Sequence, residues 1–164
     1  MTHAYDQLEV VAGAGTLARE VELDAGLPDT LLVSVGGGGL VGGIAAWCAG
    51  RCRVVALEPE TAPTLHSARA AGTPVDVAVS GIAADSLGAR RIGALAWAIT
   101  QQHVHDALLL SDGAIREAQH FMWREFRLAV EPAAALPLAA PLPGERIGLV
   151  VCGANVDVGT LAGG

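Results

Sequence analysis

Val33-Ser34-Val35-Gly36-Gly37-Gly38-Gly39-Leu40 decides how this chain reads. An apolar run of strand character passes into four consecutive glycines and then into a stretch of helical composition over residues 40–49. Backbone N–H groups in such a turn can converge on an anion, and the start of the following helix adds about half a positive charge. Glycine is what the turn needs, because side chains would block the close approach and some positions require positive φ. A merely flexible loop would cost backbone entropy with no packing in return.

Outward from the glycines, short apolar runs alternate with Ala-rich stretches. The pattern predicts strands over 31–35, 53–58, 104–110 and 147–152. It predicts helices over 16–26, 40–49, 63–71, 92–100 and 112–126, the last capped by Ser111. Residues 131–140 read as a kinked or short helix because of Pro137, and Gly153-Ala154-Asn155 as a turn. Continuous apolar strands between helices imply an α/β fold, a mostly parallel sheet with helices on both faces, here one lobe over residues 1–164. Before the first clear strand stand only the segment 5–15 and one helix, so the chain reads as starting in mid-fold.

Composition narrows the function classes. The chain is 52% hydrophobic and 16% charged, against about 25% charged in ordinary soluble domains. Either Ala, Gly and Val are simply abundant, or an apolar face is covered by a partner; a homo-oligomer is expected. A net charge of −7 argues against nucleic acid. No run of 18 apolar residues suggests a membrane span. Met1-Thr2-His3-Ala4 lacks the basic and apolar regions of a signal peptide. Three cysteines, Cys48, Cys52 and Cys152, suit reduced thiols in the cytoplasm. All ten basic residues are arginine, so no chemistry can use a lysine from this chain.

Two cofactors could use the glycine loop. Gly37-Gly38-Gly39-Leu40-Val41-Gly42 fits the dinucleotide pattern G-x-G-x-x-G, and Glu58 ends the next strand where a ribose-binding acid would sit. Four consecutive glycines satisfy a spaced-glycine pattern easily, however.

The second cofactor is pyridoxal phosphate, and here the whole chain is informative. Six segments, in order, resemble the C-terminal half of the serine/threonine dehydratases, fold-type II pyridoxal-phosphate enzymes related to serine racemase. They are Tyr5-Asp6 with Ala12-Gly13-Ala14-Gly15-Thr16, the loop Val35-Gly36-Gly37-Gly38-Gly39-Leu40, and Leu57-Glu58-Pro59-Glu60. Gly81-Ile82-Ala83-Ala84-Asp85-Ser86-Leu87-Gly88, Val130-Glu131-Pro132-Ala133 and Val151-Cys152-Gly153-Ala154-Asn155-Val156-Asp157 follow. A dinucleotide domain predicts none of the others.

The resemblance implies that Gly36, Gly37, Gly38, Gly39 and the Leu40 N–H hold the cofactor phosphate. It places Cys152 against the pyridine nitrogen, with Glu131 and Gly81 near the ring. A neutral partner at that nitrogen suits elimination of a β-hydroxyl more than transamination. The implied reaction removes water and ammonia from a small amino acid, L-threonine or L-serine, to give a 2-oxo acid. The family's Schiff-base lysine lies in an N-terminal half not represented here, so no catalytic residue is expected in this chain. A lysine-bearing lobe would have to come in cis or in trans.

Departures from the family pattern also matter. Relatives that bind a divalent cation carry an acid six residues after the glutamate matching Glu58; here that position is Thr64, so no metal site is expected. Ala134 stands where many members have glycine, and Pro137 interrupts the next helix.

The remaining candidates read as structural. Cys48 and Cys52, spaced C-x3-C, have no second Cys or His pair nearby and are expected as core thiols. His103-Val104-His105-Asp106 reads as a solvent-facing strand start and Arg90-Arg91 as a solvated helix start. Trp47, Trp97 and Trp123 are expected to pack on helices. Nothing places a serine on a nucleophile elbow.

Overall fold

The continuous apolar runs form a four-stranded sheet in order β3-β2-β1-β4, with every pairing parallel. The computed structural model describes residues 5–141 and 146–161. The chain runs through α1 (Leu8–Ala25), β1 (Thr30–Ser34), α2 (Gly39–Cys48), β2 (Arg53–Pro59), α3 (Thr64–Ala71), α4 (Ala94–His103), β3 (Val104–Leu110), α5 (Asp112–Phe126), α6 (Pro132–Ala139) and β4 (Ile147–Leu149). A turn of 3-10 helix follows at Val158–Thr160. The signal-peptide reading concerns Met1-Thr2-His3-Ala4, which lie outside the described residues.

All five residues of β1 are buried, as expected of a strand covered on both faces. Alternation divides its side chains. Leu31 and Val33, with Val54 and Ala56 of β2, face Ala18 of α1, Val41 and Ile44 of α2, Leu65 of α3 and Ala96 of α4. Leu32, with Val55 and Leu57, faces Ile115 of α5 and Leu136 of α6. The register Thr30↔Arg53 through Ser34↔Leu57 starts β1 and β2 level; β1 ends at Ser34 opposite Leu57, while β2 runs on to Pro59, so the glycine loop leaves the sheet first.

Four expectations need correction. Helix α1 begins at Leu8, not at residue 16. Gly13 and Gly15 read as breakers, but Gly15 lies where α1 crosses α2 in backbone contact. A Cβ on Gly15 would sit 2.9 Å from the Gly43 carbonyl oxygen, and one on Gly43 2.2 Å from that of Val11. Close packing outweighs the propensity cost of about 1 kcal/mol per glycine.

Helix α4 begins at Ala94 rather than 92, because its first free N–H groups are taken by Asp6. It also runs to His103, so of the His103-Val104-His105-Asp106 segment only His105 and Asp106 are exposed on β3. Strand β4 stops at Leu149, well short of 152. Val150 N–H still donates to Leu32 O (3.1 Å), but Gly153 O then accepts from Glu131 N–H (3.2 Å), so the chain has left β1 for the start of α6. Finally, Arg90 and Arg91 lie in bends ahead of α4 rather than on it, with Arg91 paired to Asp76 at 3.1 Å.

Other expectations hold. Ser111 Oγ accepts from Ala114 N–H at the start of α5. Cys48 and Cys52 are buried, and burial pushes the Cys48 thiol up to about 12. Trp97 packs against the core, whereas Trp47 sits partly exposed with its Nε1–H on Glu22 (2.7 Å) and Trp123 lies under the Arg127 guanidinium.

Helix α6 is short, eight residues, and runs through Pro137. Proline removes the N–H that would bond the carbonyl four residues earlier, which is that of Ala133. That carbonyl accepts instead from Ser34 Oγ–H at 2.6 Å. A hydroxyl at the end of β1 thus completes a helix opened by proline.

Candidate functional site

A cleft of about 350 Å³ opens at the edge where β1 ends, at the low end of the range for small-molecule sites. Its floor is the glycine loop. Gly36, Gly37, Gly38, Gly39, Leu40 and Val41 line it, with Ser34 below them. Glu131 and Ala133 enter from the start of α6, Cys152 from the segment after β4, and Tyr5, Ser86 and Leu87 complete the wall.

The loop's shape follows from its packing. Gly38 adopts φ +91°, and a Cβ there would lie 2.4 Å from Ile92 Cδ1 and 2.7 Å from Ala96 Cβ. Gly37 is covered by the Tyr5 ring, and its carbonyl accepts from Gly93 N–H at 3.0 Å. Gly39 then opens α2, whose first N–H groups have no partner within their own helix. Among the described residues no basic side chain lines the cleft. An anion on this floor would therefore be held by main-chain N–H groups and the α2 dipole.

In the same cleft, Glu131 and Cys152 meet. A Cβ on Gly153, at φ +144°, would lie 2.2 Å from Glu131 Oε1, so the carboxylate lies directly over the turn that carries Cys152. The cysteine is exposed, not the buried core residue its apolar flanks would also allow. Burial of its sulfur, and then the Glu131 charge, push the thiol up. It is a protonated, neutral group at neutral pH.

Of the residues expected at a cofactor, the structure brings together Gly36, Gly37, Gly38, Gly39, Leu40, Glu131 and Cys152. Gly81 is placed elsewhere. It turns at φ +82° against Thr61 and Asp112, with a Cβ position 2.3 Å from Thr61 Oγ1; the part of its segment that reaches the cleft is Ser86-Leu87. Glu58 is fully buried. Its oxygens accept from Leu65 N–H (2.6 Å) and His66 N–H (2.8 Å), capping α3. Burial pushes its carboxyl up to about 7, against the pull of those two donors. A carboxylate so enclosed cannot reach a ribose in the cleft. Among the described residues no group of three or more His, Cys, Asp or Glu side chains converges as metal ligands would.

Sequence reasoning missed Tyr5, Ser34, Val41, Ser86, Leu87 and Ala133 as cleft residues. All of them stood inside quoted stretches, but nothing in their spacing says that they share a wall. Asn155 Nδ2 donates to Asp85 at 3.3 Å, so two of those motifs also meet directly in space.

The family described as "Pyridoxal-phosphate dependent enzyme" matches residues 1–153. Phenylserine dehydratase of Ralstonia pickettii is 32% identical over 98% of this chain and 52% of its own length. Maize serine racemase superposes with a TM-score of 0.90 at 31% identity, covering 98% of this chain and 53% of that one. The threonine deaminase of T.th. gives 0.87 at 30%, covering 93% and 59%. The chain thus spans about half the length of the curated relatives it matches. On these matches, the chain belongs to the fold-type II pyridoxal-phosphate dependent enzymes, the family of dehydratases, racemases and ammonia-lyases.

Proposed function

We propose that this chain is the cofactor-binding lobe of an ammonia-lyase that converts L-threonine or L-serine to a 2-oxo acid and ammonia. The observation that supports it most is that the glycine loop and Cys152 line one cleft. Pyridoxal phosphate fits that arrangement: its anionic end matches a floor of glycines at a helix start, and its ring nitrogen matches a neutral thiol. When bound, the cofactor supplies the electron-withdrawing ring that such eliminations use.

The chain's own residues bind and orient. Main-chain N–H groups of Gly36, Gly37, Gly38, Gly39 and Leu40 hold the phosphate. Cys152, kept protonated by burial and by Glu131, is a partner at the nitrogen that does not add charge. Glu131 fixes the Cys152-Gly153 turn and walls the cleft. Acid–base work on the substrate falls to a lysine outside these 164 residues, in cis or in trans, since none occurs within them. Similarity to threonine deaminase and phenylserine dehydratase supports a hydroxy amino acid as substrate. A dinucleotide is the weaker reading, because the acid it would need at the ribose is enclosed beneath α3.

The reading is tested by titrating the chain with pyridoxal phosphate and with NAD, following cofactor fluorescence. Ammonia release from threonine and serine is then assayed. Saturable binding of pyridoxal phosphate, none of NAD, and no turnover by the chain alone are expected. NAD binding, or cofactor-dependent turnover without an added lysine-bearing partner, would contradict it.

A further inference from the structure

We propose that Asp6 is a positioning residue for the glycine loop: it locks the first turn of α4, and that turn sets the Gly37-Gly38 peptide that faces the cofactor phosphate. The proposal rests on the cofactor reading above and goes beyond it.

Helix α4 has no side-chain cap of its own, since its N-cap residue is Gly93. Asp6 supplies one from 88 residues away, with Oδ2 accepting from Ala94 N–H and Oδ1 from Leu95 N–H, each at 2.9 Å. The fit is close, because a Cβ on Gly93 would lie 2.8 Å from Asp6 Oδ1. Gly93 N–H in turn donates to Gly37 O at 3.0 Å. In a trans peptide the N–H points opposite to the C=O. Anchoring the Gly37 carbonyl on α4 therefore turns the Gly38 N–H away from α4. Ile92 and Ala96 fill the space behind Gly38, which requires its left-handed conformation. Tyr5, next in the chain, lies on Gly37 from the other side. The pair Tyr5-Asp6 thus grips the loop and the helix behind it together.

Charge and position make opposite predictions here. A carboxylate near an anion site repels the anion, so if Asp6 acted through charge alone, Asp6→Ala would tighten phosphate binding. If it positions the loop, Asp6→Ala weakens binding although a negative charge has been removed.

The experiment uses the whole chain, 15N-labelled, titrated with inorganic phosphate and with pyridoxal phosphate. Ser111→Ala is the control: it removes the cap of α5 without touching the loop. Asp6→Ala is expected to weaken phosphate binding by roughly tenfold, the size of a lost cap, and to shift the Gly37, Gly38 and Gly93 amide resonances. Asp6→Asn, which keeps one of the two acceptors, should weaken binding less than Asp6→Ala, and Ser111→Ala should change neither reading. Unchanged or tighter binding in Asp6→Ala, or equal weakening in Ser111→Ala, overturns the proposal. If the parent binds no phosphate, the cofactor reading fails, and the resonances alone then decide. Loop shifts in Asp6→Ala no larger than in Ser111→Ala overturn the positioning role as well. Should Asp6→Ala not fold, Asp6→Ser, too short to reach both N–H groups, takes its place with the same readings.

Discussion

Cys152 is exposed in the cleft, yet its thiol is harder to ionise than an ordinary one, because its sulfur is desolvated and Glu131 stands beside it. Thiolate is the reactive form, so exposure and reactivity part company here. Cys152 should alkylate slowly at neutral pH, and Glu131→Gln should speed it by removing the neighbouring charge. Mass-spectrometric alkylation rates check this, and an unchanged rate in Glu131→Gln would count against the contact. Added pyridoxal phosphate should protect Cys152. Position 152 was expected at the cofactor through its Cys-Gly-Ala-Asn context, and the structure places it in the cleft with the glycine loop. Its exposure was not, because an apolar run such as Ile147-Gly148-Leu149-Val150-Val151 reads equally well as a strand that carries the cysteine into the core.

At the scale of elements, polar groups far apart in sequence complete helices that are deficient on their own. Ser34 Oγ–H fills the carbonyl that Pro137 leaves open in α6. Ser34→Ala should cost about 1–3 kcal/mol, the cost of a buried acceptor left unpaired. The loss should shrink in a Pro137→Ala background, where the helix can supply its own N–H; urea denaturation of the four combinations gives the coupling. Equal losses in both backgrounds would contradict the account. Glu58 does the same for α3, at an electrostatic cost. Its carboxyl stands near 7 in the folded chain against 4.5 ordinarily, so the native state holds that proton more tightly than the unfolded chain does. The contribution of Glu58 to stability therefore falls as pH rises from about 4.5 to about 7 and is level above that. Glu58→Gln should flatten the pH dependence of the denaturation midpoint in that window. These completions explain which elements could be read from sequence. Strands β1 and β2, buried on both faces, announce themselves as apolar runs. The start of α1 does not, because Gly13 and Gly15 look like breakers until α2 is known to cross there, and the start of α4 depends on Asp6, which no local pattern reveals.

At the scale of the molecule, the sheet carries its helices on both faces and leaves the glycine loop and Cys152 at one edge, where ligands of open α/β sheets collect. The low charged fraction has a visible counterpart. Phe121, Phe126 and Leu128, on and just after α5, are exposed at 37%, 61% and 47%, and a groove lined by Ala114, Ala118, Phe121 and Leu138 runs between α5 and α6. Sedimentation should show self-association that Phe121→Ser with Phe126→Ser weakens; a monomer at all concentrations would contradict that expectation. The order of motifs made the family legible: most sit at a strand end, a turn or a helix start, although Ala12-Gly13-Ala14-Gly15-Thr16 lies inside α1. That five of the six line one cleft was not legible, since it depends on how the fold brings segments distant in sequence together. The central claim is that main-chain N–H groups of the glycine loop hold the phosphate of pyridoxal phosphate with Cys152 at the other end of the ring. The most direct measurement is the amide spectrum of the 15N-labelled chain titrated with pyridoxal phosphate. The account predicts saturable shifts centred on residues 36–40 and on Cys152, with the α5–α6 groove unmoved, whereas no saturable shift, or shifts centred on that groove, would contradict it.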